Sequence, residues 1–262
     1  METMFYEENG RLFRKNGHEL VCIEAWGENA LRVRATLLPQ LPEEFWALAE
    51  PVHAVGTVSI GEDNTARITN GRITATVAKN GQISFFNQKG QLLLEEYRTE
   101  GRGALRKAPR EFIPTIGGDW SLTARFESDP NEKLYGMGQY QQPYLNVKNC
   151  TLELAQRNSQ ASVPFCLSSL GYGLLWNNPA IGQVTFGKNI TEWKALSTKA
   201  LDYWITAGDT PAQIEESYAA VTGTVPIMPE YGLGFWQCKL RYMTQDELLE
   251  VAREYKRRNL PI

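Results

Sequence analysis

Apolar and polar residues alternate through "ALRVRATLL" at 30–38, the pattern of a strand with one face buried. The same period returns in "RITATVAK" and "QISFFNQK", both rich in β-branched or aromatic residues and bracketed by Asn70-Gly71, Asn80-Gly81 and Lys89-Gly90. Asn-Gly supplies the positive φ angles of a tight hairpin turn, so this spacing predicts successive hairpins, and Asn9-Gly10 and Asn16-Gly17 extend the prediction to the N-terminus. Between 98 and 130 the pattern loosens into a predicted loop or edge insertion, before "SLTARFES" resumes strand character. Further short strands follow in "KLYGMG", "CTLELAQ", "VPFCLSS", "GYGLLWN", "GQVTFGK" and "LDYWITA". No motif recurs at a fixed period, which predicts a large antiparallel sandwich rather than a repeat array.

The period changes at "TPAQIEESYAAVTG", 210–223. Thr210 caps, Pro211 suits the first helical position, and Ile214, Tyr218 and Val221 fall on one helical face. The proline-punctuated "TVPIMPEYG" then reads as a linker and places the domain boundary between 228 and 229. Beyond it, "GLGFWQCK" is a continuous apolar run of the kind expected of a strand buried on both faces. Thr244 and Glu247 form a capping box, with Leu248, Ala252 and Tyr255 as the buried stripe of the helix it opens. "LPI" then reads as entry into another strand. A β-α start of this kind needs neighbouring strands, so the expectation is the front of a longer protein. Its last 34 residues would be steadied by packing on the sandwich or on another copy, which makes a homo-oligomer one of two options.

Composition narrows the function classes. At 42% hydrophobic and 22% charged residues the chain fits an ordinary globular protein, without an apolar run of the ~18–20 residues a membrane helix needs. The N-terminal stretch lacks the apolar core of a secretory signal, which points to the cytoplasm and makes the sequons at Asn149 and Asn189 coincidental. Net charge is -3, and the basic cluster Arg253, Lys256, Arg257, Arg258 suits a helix C-terminus, so nucleic acid is not an expected partner. Cys22, Cys150, Cys166 and Cys238 are scattered and only His18 and His53 accompany them, so neither a disulfide framework, a metal site nor a cofactor is implied. Among the acids, Asp202 lies in a strand, Asp209 precedes a capped helix, and Asp246 and Glu247 sit in a first helical turn; each position has a structural explanation.

Several segments nevertheless combine in a recognisable order. "KLYGMGQ", "VPFCLSSLGYGLLWNNP" and "LDYWITAGDTPAQIEESYAAVTGTVPIMPEYGLGFWQCKLRY" together resemble glycoside hydrolase family 31, the retaining α-glucosidases and α-xylosidases. That family carries Y-G-x-G, P-F, G-Y-G followed by Asn, D-Y-x-x-x-G-x-x-P and T-G-x-x-P segments before its first barrel strand. The resemblance implies a mainly β chain: a galactose-mutarotase-like antiparallel sandwich over 1–228, then the first β-α unit of a (β/α)8 barrel over 229–262. The substrate it implies is an oligosaccharide. The nucleophile and acid/base aspartates would lie on later barrel strands, past Ile262, so residues 1–262 alone are expected to be inactive.

It also implies two contacts with sugar. A sandwich loop reaches the first subsite in the family with an Arg-Asp or Asn-x-Asp element, and Arg157 and Asn158 of "LAQRNSQASVPF" stand there, an amide replacing the carboxylate. At the end of the first barrel strand, Trp236 is placed to stack on a pyranose or to fill the barrel core, with Lys239 beside it. Two other readings compete. A non-catalytic carbohydrate-binding sandwich would use Tyr140, Tyr144 and Trp193 as its platform. A sugar epimerase on a similar sandwich would want histidines in a β-groove, which His18 and His53 supply poorly.

Overall fold

The computed structural model describes residues 4–49, 54–98 and 107–262. A meander opens it: β1 (Met4–Glu8), β2 (Arg11–Asn16), β3 (Glu19–Ala25) and β4 (Ala30–Thr36), turning at Asn9-Gly10, where both residues take positive φ (54° and 74°), and at Asn16-Gly17. A second meander follows as β5 (Thr57–Ile60), β6 (Ala66–Asn70), β7 (Ile73–Val77), β8 (Ile83–Asn87) and β9 (Leu92–Glu95). Its burial alternates along β7 and β8 as the sequence pattern demands.

The stretch expected to be a loop or insertion holds β10 (Arg110–Pro114), paired antiparallel to β11 (Trp120–Glu127); residues 99–106 of it lie outside the described residues. Only two β10 residues, Phe112 and Ile113, are large and apolar. What places β10 is the hydrogen-bonding edge that β11 offers and the buried Arg110, whose guanidinium donates to Glu96 and Glu19 at 2.5–3.2 Å. These are long-range constraints that local periodicity does not carry.

Then come β12 (Leu134–Gln139), β13 (Thr151–Leu154), β14 (Ala161–Ser168), β15 (Tyr172–Trp176), β16 (Gly182–Phe186), β17 (Ile190–Thr198) and β18 (Leu201–Ala207). One sheet runs β1-β2-β3-β4-β18-β15-β14-β12, with every neighbour antiparallel. Opposite it lie β5 to β9 in sequence order and β10-β11-β17-β16-β13, joined where Glu96 bridges Phe126 and Tyr97 N–H donates to Arg125 O at 2.9 Å. Their inward faces make one core. Phe126 and Phe85 meet Tyr203 edge-on, and Trp176 stacks on Trp193 with centroids 5.6 Å apart. Trp193, expected on an exposed platform, is thus 1% exposed: it lies on the inward register of β17.

β4 and β18 do not alternate; both are buried along their whole length. Their second face is covered by α1 (Pro211–Thr222) and by the segment 42–48. α1 starts where Thr210 Oγ1 accepts from Gln213 N–H at 3.3 Å and ends at Gly223, whose φ is 99°. It buries Ile214 and Val221 and stacks Tyr218 on Phe165 at 4.1 Å. Gly173 clears the way, since a Cβ there would come within 2.5 Å of Ile214.

Under the 42–48 segment lies a polar layer. Arg32, with no exposed surface, donates through Nε and Nη2 to the two oxygens of Asp202 at 3.0 and 2.6 Å and through Nη2 to Glu44 O at 2.7 Å. Its guanidinium stacks 4.6 Å from the Trp26 ring and 5.8 Å from that of Phe45. Burial pushes the Asp202 carboxyl above its ordinary range, against the pull of Arg32.

The chain divides into two compact units, Met1–Gly223 and Thr224–Ile262. In the second, a 3-10 turn spans Glu230–Leu233 and α2 spans Gln245–Arg257. The expected strand over "GLGFWQCK" is not formed, and its residues are largely exposed: an extended segment becomes a strand only against a partner, and within this unit none pairs with it. The Thr244 cap is present, its Oγ1 accepting from Glu247 N–H at 3.2 Å. The reciprocal bond goes one residue further out than a capping box requires, from Met243 N–H to the Glu247 carboxylate at 2.8 Å. The stripe expected to be buried is not: Leu248 is 49% exposed, and none of α2 is buried.

Removing one partner of the polar layer should expose its cost. Asp202→Ala leaves Arg32 charged and buried, with an expected loss of about 3–5 kcal/mol in urea unfolding. Replacing the pair together, Arg32→Met with Asp202→Leu, is expected to recover most of that loss.

Candidate functional site

The loop between β13 and β14 is built by side chains that imitate backbone pairing. Gln156 Nε2 donates to Ser162 O at 2.8 Å while Ser162 N–H returns to Gln156 Oε1 at 3.0 Å, and Gln160 N–H closes the turn on Arg157 O at 3.2 Å. Ser159 sits at a φ of 68°, which lets the turn reverse. At its base Tyr140 donates to Glu153 O at 2.7 Å and lies 2.9 Å from Ser162 Oγ. Tyr140 is therefore engaged in holding the hairpin, whereas Tyr144 remains 63% exposed.

This frame presents Arg157 and Asn158 side by side on an exposed tip. Arg157 reaches back to Glu153 with a two-pronged bond, 2.9 and 2.6 Å, and this hydrogen bonding, helped by the charge of Arg157, keeps the Glu153 carboxyl below the usual range. A guanidinium oriented this way by a solvent-facing carboxylate can turn toward a hydroxyl-rich ligand at little cost, because exposed ion pairs contribute little.

Beside the loop a cavity of about 530 Å³ runs from Gln156 and Ser162 past Trp176 to Asn178 and Trp46. A second, of about 280 Å³, shares Trp46 and Asn178 with it and is lined also by Asp119, Lys199 and the buried Arg34 and Asp202. The 42–48 segment lines both and is held by buried side chains. Arg34 Nη1 donates to Pro42 O at 2.9 Å, Asn177 Nδ2 donates to Phe45 O at 3.1 Å and to Asp202 at 2.9 Å, and Asn177 Oδ1 accepts from Ala47 N–H at 3.1 Å.

The remaining two sequence candidates lie in the second unit. Trp236 is 73% exposed, donates from Nε1 to Gly232 O at 3.0 Å, and borders a cavity of about 380 Å³ with Phe235, Tyr242 and Leu248. Lys239 pairs with Glu247 in the first turn of α2 and lies 5.6 Å from the Tyr242 ring. Hydrogen bonding to Lys239 lowers the Glu247 carboxyl. Arg157 and Asn158 thus share one loop tip in the first unit, while Trp236 and Lys239 lie in the second with different partners. The described residues hold no group of three or more His, Cys, Asp or Glu arranged for a metal; His53 lies outside them.

The structure also shows what the sequence motifs do locally. In the Y-G-x-G segment Gly136, Met137 and Gly138 all take positive φ (97°, 72°, 90°) around a β-bulge, and a Cβ on Gly138 would lie 2.2 Å from Ala161 O. Tyr172 of G-Y-G donates to Glu132 at 2.7 Å. The Asn after G-Y-G, Asn177, and the Asp of D-Y, Asp202, bond directly to each other.

Comparison with known proteins identifies two domains of one family along the chain. Residues 20–184 match the glycosyl hydrolase 31 N-terminal galactose mutarotase-like domain, and residues 225–262 match the glycosyl hydrolases family 31 TIM-barrel domain. The chain is 52% identical over 259 residues to family 31 glucosidase ORF2 of Pseudescherichia vulneris, an uncharacterized protein; the match covers 93% of this chain and 49% of that one. It is 30% identical over 285 residues to alpha-xylosidase A of Aspergillus niger, covering 99% of this chain and 38% of that protein. Among solved structures, a GH31 alpha-xylosidase from a soil metagenome complexed with xylose superposes with a TM-score of 0.88 at 56% identity, over 99% of this chain and 40% of its own. The chain therefore spans about half, or less, of the relatives it matches.

Asn177→Ala is expected to leave the Phe45 and Ala47 backbone groups without their partner and to remove one of the two donors of Asp202 Oδ2, which keeps Arg32. The expected cost is about 1–3 kcal/mol for the buried groups, with faster proteolysis inside 42–48 than in the parent chain under native conditions.

Proposed function

The chain belongs to glycoside hydrolase family 31, and from that premise we propose that it is the front portion of a retaining α-glycosidase, of α-xylosidase or α-glucosidase type, that releases terminal α-linked sugars from oligosaccharides. The observation that carries the reading is the succession of two family domains in one chain, a sandwich followed by the opening of the barrel. The α-xylosidase names among the relatives and the 56% identity to an α-xylosidase favour xylose at the first subsite. The 52% identity to a glucosidase keeps glucose as the second reading.

In this proposal residues 1–228 are the sandwich domain and 229–262 the start of the barrel. Arg157 and Asn158 extend from the sandwich toward substrate hydroxyls. Trp236 offers its indole face to a sugar ring, and Lys239 a cation to its hydroxyls. The catalytic step itself needs two carboxylates roughly 5–5.5 Å apart, one to attack the anomeric carbon and one to protonate the leaving oxygen. The proposal places both on barrel strands past Ile262, so that the 262 residues position substrate and do not cleave it.

The test compares the 262-residue chain with the protein extended through its contiguous downstream coding sequence, using aryl α-xylosides and α-glucosides. Turnover with retained anomeric configuration is expected from the extended protein alone, and release of aryl alcohol by the 262-residue chain would contradict the assignment. In the extended protein Arg157→Ala is expected to lower kcat/KM by about tenfold, the equivalent of one charge-assisted hydrogen bond.

A further inference from the structure

We propose that the first unit carries a saccharide-binding site of its own, the cavity of about 280 Å³ in which Trp46 forms the aromatic wall and Asp119, Lys199 and Asn178 supply the polar rim. Trp46 is a large apolar side chain left 56% exposed, and its backbone takes a φ of 53°. A bulky residue seldom adopts the left-handed region unless its surroundings impose it. Here they do: Pro42, Phe45 and Ala47 are fastened by Arg34 and Asn177, so the chain is held in the one conformation that turns the indole away from the core and against the cavity. The anchors are buried while the held residue is not, an arrangement that rigidifies a binding surface at the expense of local strain.

The chemistry of the lining selects the ligand class. Asp119 has one oxygen engaged by Ser197 Oγ at 2.8 Å, and its other oxygen accepts no hydrogen bond among the described residues. Asn178 is oriented by its bonds to Thr198 Oγ1 at 3.0 Å and Ala200 O at 3.2 Å. Lys199 and Glu44 line the cavity without an ion pair among the described residues. Arg34 and Asp202 at the floor are already neutralised, by Glu24 at 2.6 Å and by Arg32. What remains is two carboxylates against one ammonium, which disfavours phosphorylated or acidic ligands. Donors and acceptors of both kinds around one flat aromatic face suit a neutral pyranose, whose C–H face packs on the indole while its hydroxyls meet the rim. The site goes beyond the glycosidase reading and does not depend on it, since binding here involves no residue assigned to cleavage.

The test is read on the 262-residue chain as nitrogen-15 labelled protein, following the Trp46 indole N–H resonance. Xylose and glucose are the probes, and sorbitol, a polyol without a ring, is the control. The expected result is a saturable shift with at least one pyranose and none with sorbitol, and affinity about tenfold weaker in Trp46→Ala. Trp46→Gly should lose binding while unfolding at an equal or higher temperature than the parent, because glycine relieves the left-handed backbone. No saturable response in the parent chain, an equal response to sorbitol, or pyranose binding that survives in Trp46→Gly would each overturn the site. Because none of these readouts is turnover, failure here leaves the glycosidase proposal standing, and an inactive extended protein would leave this site standing.

Discussion

The bond between Arg32 and Asp202 organises the outer face of the larger sheet. It joins neighbouring strands β4 and β18 with a fully desolvated guanidinium, and such a charge is costly in a protein interior unless it is paired; Nε and Nη2 find acceptors and the guanidinium plane lies on the Trp26 ring, while Nη1 has no acceptor among the described residues. Pairing the charge recruits the rest of the layer. Glu44 O is drawn onto Arg32, Asn177 onto Asp202, and the backbone at Phe45 and Ala47 onto Asn177. A stretch of irregular chain is thereby fixed over the sheet, and it lines both cavities that Trp46 borders. On the opposite face, the same strands contribute Leu31, Val33, Tyr203 and Ile205 to the apolar core, so one pair of strands carries both layers.

The second unit shows the complementary constraint. α2 is capped, carries acids in its first turn and bases in its last, and has a one-sided apolar stripe, yet it buries none of its residues. Caps and macrodipole complementarity define where a helix begins and ends; they do not supply the apolar surface against which its stripe would be desolvated. The apolar run before it meets the same limit, because backbone donors and acceptors of an extended segment are satisfied by a neighbouring strand or by water. The local grammar of a β-α unit is present and its tertiary partner is not among the elements of this unit.

This division explains what was legible from the sequence. The Asn-Gly turns, the alternation of β7 and β8, and the Thr210 and Thr244 caps depend on neighbours a few residues away, and all were readable. So were the segments that carry the family resemblance, although the structure shows that Gly136, Gly138, Asn177 and Asp202 act there through a bulge and a buried bond. β10 and the burial of Trp193 depend on partners across the sheet, and periodicity over a few residues could not register them. Trp46 was missed for the same reason. Its significance rests on a positive φ and on anchors as distant in sequence as Asn177, and the only local hint was a tryptophan close to a proline and several acids in "LPEEFWALAE".

The sandwich is stabilised by interactions internal to it, centred on the Arg32–Asp202 layer, whereas the 245–257 helix gains no burial from the other elements of its own unit. Amide hydrogen exchange across the 262-residue chain tests this most directly. The account predicts the slowest exchange in 30–36 and 201–207, where strands are covered on both faces, and exchange in 245–257 that is faster by orders of magnitude. Protection of 245–257 comparable to that of the two central strands would contradict it.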